Sequence, residues 1–419
     1  MQYLYNAVNP WWKGKDFNSG ISRDIYPDGI PERLRRSEQV EVLIGGRGVG
    51  KTTLLKQVIR RLLDGGMPAS AILYLPLHYP AFSIATLAEH LKTVREEVFR
   101  YRCLLRYVFL DEIQENPRWE EEIRELYAWE GLKVFCAGTM PPPAKGPGRR
   151  FSRRAVTLVH PLNFQEFVRF RGHDTGLEAP EQLIALAEEY LRIGGYPAQV
   201  IDPAGDAAAE IMASAPARYI GPLYDMRKMH RLQNLLQSLC ASVGSPTSYR
   251  QLAGDLRLSV DTIKDYLGCL EGAWLAKPLP QWRNRRVERI YAPQKFYLGD
   301  NGIRTVLAGD ADMASRAENA VFLELWRRGI PCGYDGESGG VVDFVLGSRA
   351  RPLPVDVRYE TILPGSDGNL SGIRAFIRRF PRTREAVVVS RNVEGSVKID
   401  GVAVRSVPLW KFLRDGGIY

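Results

Sequence analysis

Long apolar runs are missing from this chain. No stretch approaches the ~20 consecutive apolar residues that a membrane-spanning helix requires, so a membrane protein is not expected. Cysteine is scarce: Cys103, Cys136, Cys240, Cys269 and Cys332 are odd in number, and no two share C-x-x-C spacing. That excludes a disulfide scaffold and a zinc ribbon and suits reduced intracellular thiols. The five histidines are dispersed, so spacing offers neither a zinc site nor a histidine-based catalytic cluster. Met1 is followed by polar and aromatic residues and not by an apolar signal core; secretion is not expected and the cytoplasm is.

The chain has 419 residues, too many for one ordinary core, and suggests two to four domains. Hydrophobic residues at 45% and charged residues at 25% are the proportions of a soluble globular protein. A net charge of +9 permits contact with nucleic acid without establishing it. Basic residues gather at Arg149, Arg150, Arg153 and Arg154, at Arg283, Arg285 and Arg286, and at Arg378, Arg379, Arg382 and Arg384. Each cluster equally suits a solvated face.

Residues 40 to 53 form the most informative segment. An apolar strand, Val40-Glu-Val-Leu-Ile44, runs into Gly45-Gly46-Arg47-Gly48-Val49-Gly50-Lys51-Thr52-Thr53 and then into an apolar helix. This G-x-x-x-x-G-K-T pattern predicts a cradle for a nucleoside triphosphate, ATP or ADP. Its glycines let backbone N–H groups turn around phosphates, Lys51 reaches the β and γ phosphates, and Thr52 offers its hydroxyl to Mg²⁺. A second apolar strand, Tyr107 to Leu110, ends in Asp111-Glu112, where Asp111 is expected to hold the metal and Glu112 to polarise the attacking water. Between the two lies another short apolar strand, Ala71 to Pro76, as in the additional-strand class of P-loop ATPases. After the acids come an amphipathic helix, Trp119 to Trp129, and a strand, Leu132 to Ala137, that delivers Gly138-Thr139. The alternation predicts an α/β doubly wound parallel sheet with its ligand at the carboxyl ends of the strands, where Lys51, Thr52, Asp111, Glu112 and Thr139 all fall. The Pro/Gly-rich stretch 141–148 leads to Arg149, Arg150, Arg153 and Arg154, any of which can supply an arginine to the transferring phosphoryl group, from its own chain or a neighbour.

The order Asn9-Pro-Trp-Trp12, the cradle, Leu110-Asp-Glu-Ile-Gln114 with Trp119 following, Pro161-Leu-Asn-Phe-Gln-Glu-Phe167 and Gly194-Gly-Tyr-Pro197 resembles the archaeal-type AAA+ ATPases that carry a winged helix and a restriction-endonuclease-like C-terminal domain. The resemblance covers nearly the whole chain. It implies that Arg153, with Arg154 second, is the arginine acting on phosphate, and that Gly195 and Pro197 contact the nucleotide from a helical lid. It also implies that Trp11 and Trp12 flank the base, although anchoring of the N-terminal arm to the core is the default expectation for paired tryptophans. The usual cradle has proline and arginine where this chain has Gly46 and Gly48, with Lys51 and Thr52 intact.

Residues 166 to 235 are mostly helical by pattern, with Glu181 to Ile193 the clearest case. From Thr247 the pattern becomes helix-turn-helix: Tyr249 to Leu256, a turn at Arg257-Leu258, then Ser259 as N-cap to Val260 through Leu270. Two wing strands follow, Trp274 to Leu279 and Lys295 to Leu298, and the tip carries Trp282 with Arg283, Arg285 and Arg286, which suit DNA phosphates. The second helix exposes Asp261 and Asp265 beside Lys264, a poor surface for phosphate. Further on, the resemblance implies a nuclease-type metal site at Glu318, Asp343 and Asp356. Arg358 stands where a lysine is usual, and a guanidinium holds phosphate oxygens but is a poor proton acceptor.

The expected segments are an N-terminal arm (1–37), a P-loop ATPase core (38–165), a helical lid (166–235), a winged helix (236–305) and a small α/β restriction-endonuclease-like domain (306–419). The expected activity is Mg²⁺-dependent ATP hydrolysis coupled to DNA engagement. Two alternatives stay open, a slow nucleotide-controlled switch that binds a protein partner and an ATP-gated DNA endonuclease; assembly into an oligomer also stays open.

Overall fold

The structure is a computed structural model that describes residues 2–23, 40–100, 104–130, 132–139, 154–176, 178–220, 226–282, 292–309, 311–336, 340–359 and 370–416. The chain divides into two compact units, residues 1–159 and 160–419. The expected segments 166–235, 236–305 and 306–419 therefore fall within one compact unit. No helix among the described residues is long and apolar enough to cross a membrane.

The first unit is built on five strands: β1 (Val40–Gly45), β2 (Ile72–Pro76), β3 (Tyr107–Asp111), β4 (Lys133–Gly138) and β5 (Arg154–Val159). All pairings are parallel, in the order β2-β3-β4-β1-β5. Strands β1, β2 and β3 are buried along their whole length, which is why they read as apolar runs without alternation, interrupted in β1 by Glu41, which accepts from Thr157 Oγ1 at 2.6 Å, and ended in β3 by Asp111. The helix Lys51–Asp64 packs Leu54, Leu55, Val58 and Ile59 into the core. Phe109 and Phe135 stack across neighbouring strands with ring centroids 5.1 Å apart.

The outer edge of β2 is closed by the N-terminal arm. Asn9 donates from Nδ2 to the Tyr74 carbonyl at 3.1 Å and accepts from the Tyr74 N–H at 2.7 Å, so one buried amide completes both main-chain groups of an edge residue. Trp11 and Trp12 both donate their indole N–H to the Ile72 carbonyl, at 3.3 and 2.8 Å. These contacts give the paired tryptophans an anchoring role at the start of β2.

In the second unit, helices Phe164–Phe170, Pro180–Ile193, Pro197–Ile201, Ala207–Ile220 and Met226–Ala241 follow one another, as the pattern implied. The Asn163 and Glu166 of the Pro-Leu-x-Phe segment form a capping box at the start of the first of these helices. Helix Tyr249–Leu256 ends at Arg257, which is left-handed at φ 53°, and helix Val260–Gly272 starts from an N-cap at Ser259. The antiparallel pair β6 (Ala276–Leu279) and β7 (Lys295–Leu298) follows. Strand β6 begins two residues later than expected because Trp274 turns the chain at φ 65°.

A six-stranded mixed sheet completes the unit: β8 (Cys332–Asp335), β9 (Val342–Ser348), β10 (Arg351–Arg358), β11 (Glu385–Ser390), β12 (Gly395–Ile399) and β13 (Val402–Pro408), in the order β12-β13-β11-β10-β9-β8. The chain beyond β6 continues onto this sheet, since Trp282 N–H donates to the Tyr334 carbonyl at 2.7 Å.

Candidate functional site

The carboxyl ends of the parallel strands converge. Register pairs Pro76 with Asp111, Asp111 with Ala137, Ile44 with Gly138 and Gly45 with Val159, so the cradle, the acids and Thr139 lie along one edge of the sheet. Gly45 has no room for a side chain, because a Cβ there would lie 2.1 Å from the Val159 carbonyl oxygen. Gly48 and Gly50 are left-handed, at φ 76° and 92°, conformations that favour glycine. Gly50 is the N-cap of Lys51–Asp64 and offers no side-chain cap, so no side chain caps the first turn of this 14-residue helix.

The Lys51 ammonium is buried, and burial pushes its pKa down. It donates to the carbonyls of Gly45 (3.2 Å) and Gly46 (2.8 Å) and to Thr139 Oγ1 (3.0 Å). Thr52 Oγ1 donates to Asp111 Oδ2 at 2.7 Å, and Tyr74 OH donates to the same oxygen at 2.9 Å. Burial raises the Asp111 pKa, and the two hydroxyl donors pull it back. A hydroxyl beside a carboxylate is the hard-oxygen donor set that Mg²⁺ takes, and a buried ammonium on a glycine cradle suits phosphate. Residues Thr52, Asp111 and Lys51 therefore fit the groups expected of them.

Glu112 follows in the left-handed region, φ 55° and ψ 51°. Its Oε2 accepts a hydrogen bond from Gln114 Nε2, while Gln114 Oε1 accepts from the Thr139 N–H at 3.0 Å. Gln114, Tyr74 and Arg23 are the side chains at this edge to which sequence reasoning gave no role. Arg23 is buried and donates from Nη1 to the carbonyl of Val49 in the cradle at 2.7 Å. Gln57 ties the same arm to the helix by donating to the carbonyls of Ser19 and Ile21. Nothing in local periodicity gives Gln114, Tyr74 or Arg23 a role; Tyr74 carries the one local signal, a hydroxyl within the apolar run Ile72 to Leu75. Arg153 lies outside the described residues, and Arg154 opens β5 with a side chain that is likewise outside them.

In the second unit, Gly195 spends both main-chain groups on packing. Its N–H donates to Asp300 Oδ2 at 2.7 Å and its carbonyl accepts from Leu162 N–H at 2.7 Å. A Cβ on Gly194 would fall 1.9 Å from Asp300 Oδ1, and one on Gly195 would fall 2.4 Å from the Leu162 carbonyl oxygen. The glycine pair thus lets three chain segments meet, and Pro197 starts the next short helix. Burial lifts the Asp300 pKa to about 6 against the N–H donors of Gly195 and Gly302.

The acids Glu318, Asp343 and Asp356 come together around a residue that the sequence did not single out. Lys295, from β7, is 1% exposed and donates to Glu318 Oε1 at 2.9 Å and Asp343 Oδ1 at 2.7 Å. Tyr297 OH donates to Glu318 Oε1 at 2.7 Å, and Val357 N–H donates to Asp343 Oδ2 at 2.9 Å. Asp356 is buried beside Asp343 and lies 2.8 Å from Arg358 Nη2; burial pushes its pKa well up, Asp343 adds to this, and Arg358 opposes it. Although burial disfavours its charge, Lys295 is held protonated by Asp343 and Glu318. Among the described residues no group of three His, Cys, Asp or Glu side chains is arranged to hold a metal ion.

The DNA-facing candidates divide. Arg283, Arg285 and Arg286 lie outside the described residues. On helix Val260–Gly272, Lys264 is paired with the exposed Asp261 at 3.0 Å. Arg378 is paired with Asp400 at 2.8 Å, and Arg379 with Asp335, so two of the four arginines of that cluster are already neutralised.

Residues 37–168 match the family model of an AAA domain, and residues 184–314 match that of a domain of unknown function. An uncharacterized protein of Haemophilus influenzae is 24% identical over 402 residues, 93% of this chain and 98% of that one. An uncharacterized protein of Methanocaldococcus jannaschii is 22% identical over 365 residues, covering 77% of this chain and 76% of that one. Among solved structures, the Thermotoga maritima RuvB Holliday junction branch migration motor aligns with 14% identity and a TM-score of 0.29, over 62% of this chain and 90% of that chain. AMPPCP-bound DnaA from Aquifex aeolicus aligns with 17% identity and a TM-score of 0.30, again over 62% and 90%.

Proposed function

We propose that the 1–159 unit binds ATP with Mg²⁺ and hydrolyses it, and that the 160–419 unit couples the nucleotide state to DNA. The observation that carries the first part is the buried Lys51 ammonium on its glycine cradle, bonded to Thr139 and flanked by the Thr52–Asp111 pair. In this reading Lys51 binds the β and γ phosphates, and the first turn of the helix after Gly50 turns its N–H groups to them. Thr52 and Asp111 would hold Mg²⁺, which supplies charge neutralisation on the phosphates. Glu112 orients the water and takes its proton, Thr139 holds the strand-tip end of the site, and Arg153 or Arg154 is the arginine that stabilises charge on the transferring group.

For the second unit, the helix-turn-helix and hairpin support a winged-helix reading, with Arg283, Arg285 and Arg286 as the phosphate contacts. The ATP-gated endonuclease alternative draws on the convergence of Glu318, Asp343 and Asp356. Against it stands Lys295, whose ammonium already satisfies Glu318 and Asp343. We therefore favour a nuclease-like fold that carries no metal. The slow switch that recruits a protein partner stays the main rival for the whole chain.

The test is the ATPase rate with Mg²⁺ across titrations of duplex and single-stranded DNA at two salt concentrations. Stimulation that fades at high salt supports DNA coupling. A flat, slow rate with retained nucleotide favours the switch. Lys51→Ala is expected to abolish tight nucleotide binding, whereas Glu112→Gln keeps binding and loses turnover. Equal loss of binding in both would overturn the role given to Glu112. ATP-dependent cleavage of supercoiled DNA that disappears in Asp343→Ala would restore the endonuclease.

A further inference from the structure

We propose that Gln114 is a positioning residue that ties the Glu112 carboxylate to the tip of β4, so that the aim of Glu112 depends on what Lys51 and Thr139 are holding. This inference rests on the ATPase reading of the first unit. Three observations carry it, all at the ends of β3 and β4.

The first is the bridge itself. Gln114 uses both ends of its amide, donating from Nε2 to Glu112 Oε2 and accepting at Oε1 from Thr139 N–H at 3.0 Å. The Thr139 hydroxyl accepts from Lys51 Nζ at 3.0 Å, so Thr139 links the two ends, its side chain bonded to Lys51 and its main-chain N–H bonded to Gln114 and through it to Glu112. When Lys51 turns to an anionic ligand, Thr139 loses its ammonium partner, and the displacement passes to Glu112 through one rigid side-chain amide.

The second observation is backbone strain. Glu112 sits at φ 55°, a left-handed conformation that is unfavourable for a non-glycine residue and persists only where surrounding contacts hold it. Its own N–H donates to Asp111 Oδ1 at 3.1 Å, which fixes the main chain, while the Gln114 bond fixes the side chain.

The third is the space left for Gln114. Gly138 is the last residue of β4, and a Cβ there would lie 3.0 Å from Gln114 Oε1 and 2.8 Å from Ile113 Cγ1. Gly138 has an ordinary φ, so the absence of a side chain serves packing against Gln114 and Ile113 and not an unusual backbone conformation.

Because Gln114 acts through Glu112, it changes turnover without touching nucleotide. The test uses the full chain and three variants. Gln114→Leu removes both bonds. Gly138→Ala displaces the side chain while keeping its chemistry. Gln114→Glu keeps the acceptor for Thr139 N–H but sets a carboxylate against Glu112. All three are expected to lower kcat by about tenfold or more with the Kd for ATP, measured by calorimetry, changed by less than about twofold. Hydrogen exchange at the Thr139 amide is expected to rise at least about fivefold in Gln114→Leu and to stay near wild type in Gln114→Glu. Wild-type kcat in Gln114→Leu or Gln114→Glu, parallel loss of Kd and kcat, or unchanged exchange in Gln114→Leu would each overturn the proposal. Absence of turnover in the wild type would sink the ATPase reading alone, and amide exchange would still decide whether the bridge exists.

Discussion

Replacing Lys295 by methionine keeps the length of the side chain and removes its charge. The ammonium is 1% exposed and lies 2.9 Å from Glu318 Oε1 and 2.7 Å from Asp343 Oδ1. Its loss leaves the largely buried Glu318 and the buried Asp343 facing each other with Asp356 alongside, and breaking a buried pair in this way costs about 3–5 kcal/mol. For a unit of this size that corresponds to a fall in Tm of roughly 6–20 °C. The pH dependence carries a sign. Lys295 has a raised pKa in the folded state, so its contribution is complete at every pH below the ordinary lysine value and is constant across an assay from pH 5 to 8. In Lys295→Met the carboxylates bind protons more tightly in the folded state than in the unfolded one, so the deficit shrinks as pH falls. Urea unfolding of the second-unit transition, wild type against Lys295→Met, measures this at both ends of that range. The double variant Lys295→Met/Glu318→Gln is expected to recover about half the loss, since one uncompensated charge goes with the lysine. A deficit below about 1 kcal/mol that is flat with pH would refute the claim that Lys295 is the internal cation of the cluster.

Two further predictions concern buried polar groups. Asn9→Ala removes both partners of the Tyr74 main chain at the edge of β2 and is expected to lower the stability of the first unit by about 2–4 kcal/mol, read by denaturant unfolding. Asp300 is buried with a pKa raised from 3.8 to about 6, so the folded state holds its proton more tightly; its charged form costs stability that appears as pH rises between these values, by about 3 kcal/mol. The unfolding free energy of wild type minus that of Asp300→Asn is therefore expected to fall between pH 4 and 6, and a difference independent of pH would contradict the assignment.

The sequence by itself determined the local chemistry. G-x-x-x-x-G-K-T after an apolar strand marked Lys51 and Thr52, and Asp111-Glu112 at the end of another apolar strand marked the acids. Ser259 placed a helix start, and the left-handed Arg257 fell in the turn that the pattern had left between two helices. Each of these depends on residues close in the chain, where periodicity, caps and turn chemistry operate. Gln114 lies two residues from Glu112 and within the motif that carries the resemblance, but its purpose appears only when β4 brings Thr139 and the bare Cα of Gly138 against it.

Tertiary structure alone decided the rest. Asn9 meets Tyr74 because β2 is an edge strand, and Tyr74 meets Asp111 because β2 pairs with β3, facts of strand order that no local pattern encodes. Local pattern makes Lys295 a strand residue of a wing, yet the fold carries its ammonium between Glu318 and Asp343. The physical reason is the same in each case. A charge or amide buried far from water must find its partner, and the partner is chosen by which strands and helices pack together and not by distance along the chain.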